Sequence, residues 1–133
     1  MILFEWTKSV EVGIKEIDNQ HKKLFGYMNE LYDALEQRKE REILQRLFKD
    51  LEEYTDTHFS FEEEHFKEFN YPKGKEHTQG HKVFIKKLEQ IKSQISKDTI
   101  DTEDLLELLV EWFMHHIKEI DHQYVACFHE HGL

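Results

Sequence analysis

Proline, glycine and cysteine are scarce in this chain, and each shortage excludes a class of structure. One proline and five glycines among 133 residues disfavour a turn-rich β domain and favour long helices with few connections. Cys127 is the only cysteine, so an internal disulfide is excluded and a reducing compartment suits the protein. No apolar run approaches a membrane span, and residues 1–4 are too short for a signal-peptide core. We therefore expect a helical, cytoplasmic protein.

Positive charge is also in short supply. Lysine and arginine number 18 against 28 aspartates and glutamates, which gives a formal net charge of −10. Such a surface repels phosphate backbones and anionic lipids, so neither nucleic acid nor a membrane is expected as a partner. A hydrophobic fraction of 38% is enough for one core, and we expect a single domain over residues 1–133.

Apolar residues recur at spacings of three and four along much of the chain, which is the pattern of amphipathic helices. Four helices are predicted, at about 18–38, 41–69, 74–96 and 103–127. Helices of this length with short connections favour an all-α fold, an up-down-up-down antiparallel four-helix bundle. The tail from Phe128 to Leu133 is expected to be frayed.

The first part of the chain, the arm of residues 1–17, does not keep the helical period. Val10, Val12 and Ile14 alternate with other residues, so the arm is expected to be extended and packed across the bundle. Asp18 follows the arm and is a candidate N-cap for the first helix.

Histidine is abundant, with ten in the chain, and most lie within the predicted helices. A single histidine on an apolar stripe is usually a hydrogen-bonded core residue. In an antiparallel bundle, however, the start of one helix and the end of the next lie at the same level. Five histidines and two carboxylates converge at one such level: His21, His58, Glu62, His77, His81, His116 and Asp121. This convergence favours a metal centre over core histidines.

The number and spacing of these ligands constrain the metal. Seven ligands are too many for one tetrahedral zinc and suit two octahedral ions, for which histidine-rich ligation favours iron or manganese. The set contains no thiolate, which excludes an iron–sulfur cluster. Asp121 follows His116 by five residues, which places it about 140° away on an ideal helix. Asp121 therefore needs either a local bulge of the helix or an approach to the metal from the side.

The same residues carry a family resemblance. His21, His58-x-x-x-Glu62, His77-x-x-x-His81 and Trp112-x-x-x-His116-x-x-x-x-Asp121 resemble the ligand signature of the hemerythrin family. The stretch of residues 12–25 also resembles the start of its bacterial single-domain members, and the likeness covers about residues 6–125. The resemblance implies a non-haem site of two iron ions, joined by an oxo or hydroxo bridge, that binds O2 reversibly.

The resemblance also implies a role for each residue. Three histidines hold one iron, which is coordinatively full: His77, His81 and His116. Two histidines hold the other iron, which keeps a position open for O2: His21 and His58. Both carboxylates bridge the irons: Glu62 and Asp121. Four side chains are expected to line a dry O2 pocket, although ordinary core packing also explains Trp112 and Ile117. They are Leu24, Trp112, Phe113 and Ile117.

Two other functions fit parts of the sequence. A ferritin-like di-iron oxidase uses Glu-x-x-His pairs, which occur at Glu62 and His65 and at Glu119 and His122, but the first and third helices carry no stripe glutamate. An O2, redox or iron sensor acting through a partner is the second alternative, and no attached signalling domain is expected. We expect a non-enzymatic O2 carrier for transport, storage or delivery, with an O2-using partner protein not identified. His65 is expected to support the bridge by a hydrogen bond.

Overall fold

Helices account for nearly all of the described residues, as the apolar stripes predict. A computed structural model describes residues 5–96 and 102–133. Three long helices come first: α1 at Lys15–Glu36, α2 at Glu40–Glu68 and α3 at Gly74–Ser96. The fourth helix is segmented: α4 at Glu103–Glu111, a π-helical segment at Trp112–Ile120, a 3₁₀ turn at Asp121–Tyr124 and α5 at Val125–Glu130.

The helices pack as a bundle. α1 contacts α2 and α4, and α3 contacts the same two helices, so each has two neighbours. No β-strand occurs in the described ranges. The all-α four-helix bundle is therefore confirmed, and the predicted bounds of the first three helices differ from the observed ones by three residues at most. In residues 5–96 and 102–133, no helix combines the length and the apolar character that crossing a bilayer requires.

Two tight connections set the antiparallel arrangement. α1 and α2 are each followed by a residue with left-handed backbone, Arg38 with φ 57° and Asn70 with φ 51°. In each turn, the next amide donates back across the helix end: Lys39 N–H to the Ala34 carbonyl at 2.8 Å, and Tyr71 N–H to the Phe66 carbonyl at 3.0 Å. This arrangement satisfies otherwise unpaired carbonyls and reverses the chain within a few residues.

Asp18 holds the arm in place and is not an N-cap, so that prediction was wrong. α1 begins three residues earlier, at Lys15, and Ile14 occupies the N-cap position. The buried Asp18 carboxylate accepts hydrogen bonds from the Val12 N–H at 2.8 Å and the Gly13 N–H at 3.2 Å. Gly13 has φ 83°, a left-handed conformation that lets the arm fold back over this carboxylate.

The arm and the C-terminal segment form one apolar cluster at the end of the bundle. The predicted alternation is confirmed, since Val10, Val12 and Ile14 are buried and the residues between them are exposed. A short 3₁₀ turn at Lys8–Val10 interrupts the extended arm, and residues 1–4 lie outside the described part. This cluster, called the lower cluster below, consists of Val12, Ile14, Ile17, Phe66, Tyr124 and Phe128.

Phe128 contradicts the expectation of a frayed tail. It is fully buried in α5, and its ring stacks on Tyr124 with centroids 4.4 Å apart. A second and larger apolar cluster, the upper cluster, fills the rest of the bundle and includes Leu24, Phe59, Phe84 and Ile117. Along α1, α2 and the fourth helix, lower-cluster residues lie on one side of the predicted ligands and upper-cluster residues on the other. The candidate site is therefore sealed from above and below by apolar side chains.

Candidate metal centre

The structure brings together all seven side chains that the sequence predicts as ligands. Each is between 0% and 3% exposed, although two are carboxylates and five are imidazoles. They are His21, His58, Glu62, His77, His81, His116 and Asp121. Burying so many polar groups costs folding free energy unless charges are compensated, so their convergence indicates a functional site.

The ligand atoms form two groups. In one, Glu62 joins three histidines: His77, His81 and His116. In the other, Asp121 joins two histidines, His21 and His58. Within each group, one ligand atom from every residue lies within 4.8 Å of the others. The division into three and two histidines is the one that the family resemblance implies.

Distances between imidazole nitrogens fit octahedral ions. Nε2 of His77 lies 3.0 Å from Nε2 of His116, and Nε2 of His21 lies 3.1 Å from Nε2 of His58. Two ligands at right angles around an ion with bonds of about 2.1 Å lie about 3.0 Å apart. Each group therefore contains a pair of histidines spaced for one shared ion.

Asp121 reaches both groups, one with each oxygen. Its Oδ1 lies 2.8 Å from Nε2 of His77 and 3.1 Å from Nε2 of His116. Its Oδ2 lies 3.0 Å from Nε2 of His21 and 3.8 Å from Nε2 of His58. A carboxylate whose two oxygens face different ligand groups has the placement that a bridge between two ions requires.

Glu62 also lies between the groups. Its Oε1 is 3.0 Å from Nε2 of His58 and 3.2 Å from Nε2 of His81, and its Oε2 is 3.5 Å from Nε2 of His77. Both oxygens of Glu62, both oxygens of Asp121 and Nε2 of His81 are buried without a hydrogen-bond partner. Cations between these atoms would satisfy all of them, so the residues fit a carboxylate-bridged pair of metal ions.

Two further side chains orient the histidines, and sequence analysis missed both. Nδ1 of His81 donates to Oε2 of Glu63 at 2.8 Å, and Nδ1 of His58 donates to the Gln20 side-chain oxygen at 2.6 Å. A carboxylate can only accept, so His81 carries its proton on Nδ1 and presents the Nε2 lone pair to the site. Gln20 and Glu63 each adjoin a predicted ligand in sequence, which is the signal that could have found them.

The π-helical segment explains the spacing that an ideal helix does not. The Asp121 N–H donates to the His116 carbonyl, five residues earlier. In an α-helix, the residue four positions after His116 would lie above it on the same face. The wider π-turn brings Asp121, five positions after His116, toward that place. Of the two alternatives that the spacing left open, the irregular helix is present, and it extends over Trp112–Ile120.

Aromatic rings cover three of the histidines. Trp112 stacks on His116 with centroids 3.7 Å apart, Phe59 on His81 at 3.9 Å, and Tyr54 on His58 at 5.4 Å. The sequence singled out only the first of these rings. All three fix the planes of the imidazoles beneath them.

The four predicted pocket residues lie in the upper cluster. Leu24 and Ile117 are completely buried, whereas Trp112 and Phe113 are partly buried and pack against the cluster. The Phe113 ring contacts the edge of Phe25 with centroids 4.6 Å apart. These side chains form an apolar wall next to the ligands, and their role in O2 binding stays a prediction.

The carboxylates alter the protonation of the histidines around them. Burial lowers the pKa of His58, but the nearby carboxylates of Glu62 and Asp121 outweigh it and raise the pKa to about 9. The same carboxylates also overcome burial at His77 and raise its pKa to about 9. The pKa of His116 is lowered, mainly by burial. Protons therefore compensate the carboxylates in the metal-free protein and compete with metal for the same nitrogens.

His65 does not support the bridge, so that prediction was wrong. Its Nδ1 donates to the Phe61 carbonyl on the same helix at 2.7 Å, and its ring contacts Phe128 in the lower cluster. His122 likewise lies near the Val10 carbonyl, at 3.4 Å from its Nε2. Neither histidine belongs to the two ligand groups.

Comparisons with known proteins agree with this geometry. The family model of the hemerythrin HHE cation-binding domain matches residues 12–128. A bacteriohemerythrin from Pseudomonas aeruginosa is 34% identical over 122 residues, covering 90% of this chain and 78% of that protein. One from Clostridium acetobutylicum is 33% identical over 128 residues, covering 92% and 99%. A myohemerythrin from Theromyzon tessulatum is 30% identical over 121 residues, covering 91% and 90%. The chain therefore belongs to the hemerythrin family, whose members bind O2 at a di-iron centre.

Proposed function

We propose that this protein binds O2 reversibly at a carboxylate-bridged di-iron centre, for O2 transport, storage or delivery. The observation that carries the proposal is the position of Asp121, whose two oxygens approach histidines of opposite groups. A purely structural ion pair would need only one such contact. Two carboxylates shared between two histidine groups instead suit two ions held a short distance apart.

The proposed ligand assignment follows the two groups. One iron would be held by His77, His81 and His116, and the other by His21 and His58. Glu62 and Asp121 would be shared between them. The group with two histidines offers one protein ligand fewer, so O2 would bind on that side. When bound, the two ferrous ions supply the electrons that O2 binding requires.

The chain's own contribution is orientation and exclusion of water. Gln20 and Glu63 accept the Nδ1 protons of His58 and His81 and thereby turn Nε2 of each ring toward the site. Leu24 and Ile117, both fully buried, separate the site from solvent. A dry pocket limits proton delivery from bulk water, which favours the release of O2 unchanged.

The alternatives are weaker on specific observations. A ferritin-like oxidase would direct Glu-x-x-His pairs into the site, but His65 hydrogen-bonds its own helix. The five imidazoles favour binding over turnover, so we propose a carrier and not an enzyme. A sensor acting through a partner protein uses the same site and stays a second prediction. The cytoplasmic location and an O2-using partner also stay predictions.

The test of the proposal is reversible O2 binding by the iron-loaded protein. Adding O2 to the anaerobically reduced protein should produce a visible charge-transfer band that disappears under vacuum. His58→Ala and Glu62→Ala should abolish this band. His65→Ala is a matched control, because it removes a histidine from the same helix outside both ligand groups, and it should retain the band. Consumption of O2 without recovery of the reduced state would refute the carrier function.

A further inference from the structure

Tyr54 is a buried phenol beside the site that the proposed ligand set does not use. It precedes His58 by one turn of α2, and its ring lies nearly parallel to that imidazole, at an interplanar angle of 12°. Its side chain packs in the upper cluster, with Phe59 and Trp112 as the neighbouring aromatic residues over the histidines. Among the three rings stacked on ligand histidines, only that of Tyr54 carries a hydroxyl.

Among the described residues, the hydroxyl of Tyr54 has no hydrogen-bond partner. The indole Nε1 of Trp112 is also buried without one, although it lies near enough to the phenol to affect its pKa. An indole N–H can only donate, so within this pair the Tyr54 oxygen can only accept. The phenolic proton is therefore unused even if the two side chains move into hydrogen-bonding contact. Phenylalanine would provide the same packing without burying an unpaired donor.

A phenol carries its proton at neutral pH. The Tyr54 hydroxyl is therefore a neutral hydrogen-bond donor. The Tyr124 hydroxyl is also buried without a partner among the described residues, but its ring lies against His77, a member of the three-histidine group, with centroids 5.5 Å apart. Tyr54 thus has an available proton and no acceptor among the described residues.

The location of Tyr54 indicates the missing acceptor. Its ring covers His58, which belongs to the group with only two histidines. We infer that the Tyr54 hydroxyl donates a hydrogen bond to the exogenous ligand, O2 or a small anion, at the His21–His58 side of the centre. This inference rests on the proposed di-iron function. It makes Tyr54 a ligand-binding residue that stabilises negative charge on the bound molecule.

Azide binding to the oxidised, iron-loaded protein tests the inference. Tyr54→Phe should weaken azide binding by about tenfold or more, because a hydrogen bond to a charged acceptor is worth at least that factor. Tyr27→Phe is the matched control, since Tyr27 is a half-buried tyrosine packed against the same upper cluster with its phenol away from the ligand groups. It should change azide affinity less than twofold. Equal affinities in Tyr54→Phe and the unaltered protein would overturn the inference.

Two further measurements separate ligand binding from a structural role. In the unaltered protein, the infrared stretch of bound azide should shift when the protein is prepared in D2O, and Tyr54→Phe should remove that shift. The absence of a shift in the unaltered protein would overturn the inference without any variant. The metal-free Tyr54→Phe protein should unfold at the same temperature or higher, because it loses an unpaired buried hydroxyl. A lower unfolding temperature would reveal a structural partner and also overturn the inference.

The outcomes also separate the role of Tyr54 from the proposed di-iron function. If the unaltered protein binds neither two irons nor azide, the proposed di-iron function fails. If the unaltered protein binds both, and Tyr54→Phe binds azide equally well, only the role of Tyr54 fails.

Discussion

Replacing Glu63 should weaken iron binding, although Glu63 belongs to neither ligand group. Its carboxylate accepts the Nδ1 proton of His81 at 2.8 Å, and the side chain is 33% exposed. Loss of such an outer partner typically costs 10- to 100-fold in metal affinity. Because solvent screens a third of this carboxylate, we place Glu63→Ala at the lower limit, about tenfold or about 1.4 kcal/mol. Glu63→Gln should lose less, since the amide oxygen can still accept the proton.

The assay is competition for iron with a chromophoric chelator, measured under anaerobic conditions at fixed pH and salt. Glu64→Ala and Glu64→Gln are the matched controls, because Glu64 is the exposed neighbour on the same helix and each exchange removes the same charge. They separate the hydrogen bond from the general effect of a less acidic surface. Equal losses at positions 63 and 64 would refute the reasoning, as would a Glu63→Gln variant weaker than Glu63→Ala.

Three further predictions concern stability. Asp18→Ala leaves two arm N–H groups without their charged acceptor and should lower the free energy of unfolding in urea by about 3 kcal/mol. The control is Glu16→Ala, an exposed residue of the first turn, which should lower it by under about 0.5 kcal/mol. Phe128→Ala should lower the free energy of unfolding by about 3–5 kcal/mol in the same measurement. A negligible loss would support a frayed C-terminal tail instead. The metal-free protein should lose stability as pH rises from about 6.5 to about 9, because His58 and His77 have raised pKa values of about 9 and must give up their protons. Melting temperatures that stay constant across this pH range in the metal-free protein would contradict it.

The fold could be predicted because apolar spacing is a local property of the sequence. The stripe of α3 ends where Ser96 ends the helix, and Pro72 with Gly74 marks its start, so both bounds were predicted correctly. Asp18 was misread because an acid near a helix start fits both an N-cap and the first turn. The arm folds back over Asp18 through contacts that the local sequence does not reveal, and these contacts place Asp18 in the first turn and not at the N-cap. Phe128 was misread for a similar reason, since its burial depends on the distant Phe66 and on the arm.

The ligands of the candidate site could be predicted from the sequence, but the side chains around them could not. The ligands could be predicted because they lie on apolar stripes, where burying a charged or polar side chain costs free energy unless it has a partner. Gln20, Glu63 and Tyr54 do not stand out in this way. Gln20 lies on α1 but bonds His58 on α2, and Glu63 lies on α2 but bonds His81 on α3. Such contacts depend on how the helices are rotated against one another, which spacing within one helix does not determine.

The π-helical segment reconciles two demands on the fourth helix. His116 must face the three-histidine group, and Asp121 must place one oxygen on each group. In a regular α-helix, five residues rotate a side chain by about 140° away from its starting face, so Asp121 would leave the site. The 5-residue hydrogen bond from the Asp121 N–H to the His116 carbonyl removes much of this rotation. A wider turn is less stable than an α-helical one and is found mostly at functional sites. Its occurrence between His116 and Asp121 is best explained by the position of Asp121 between the two ligand groups.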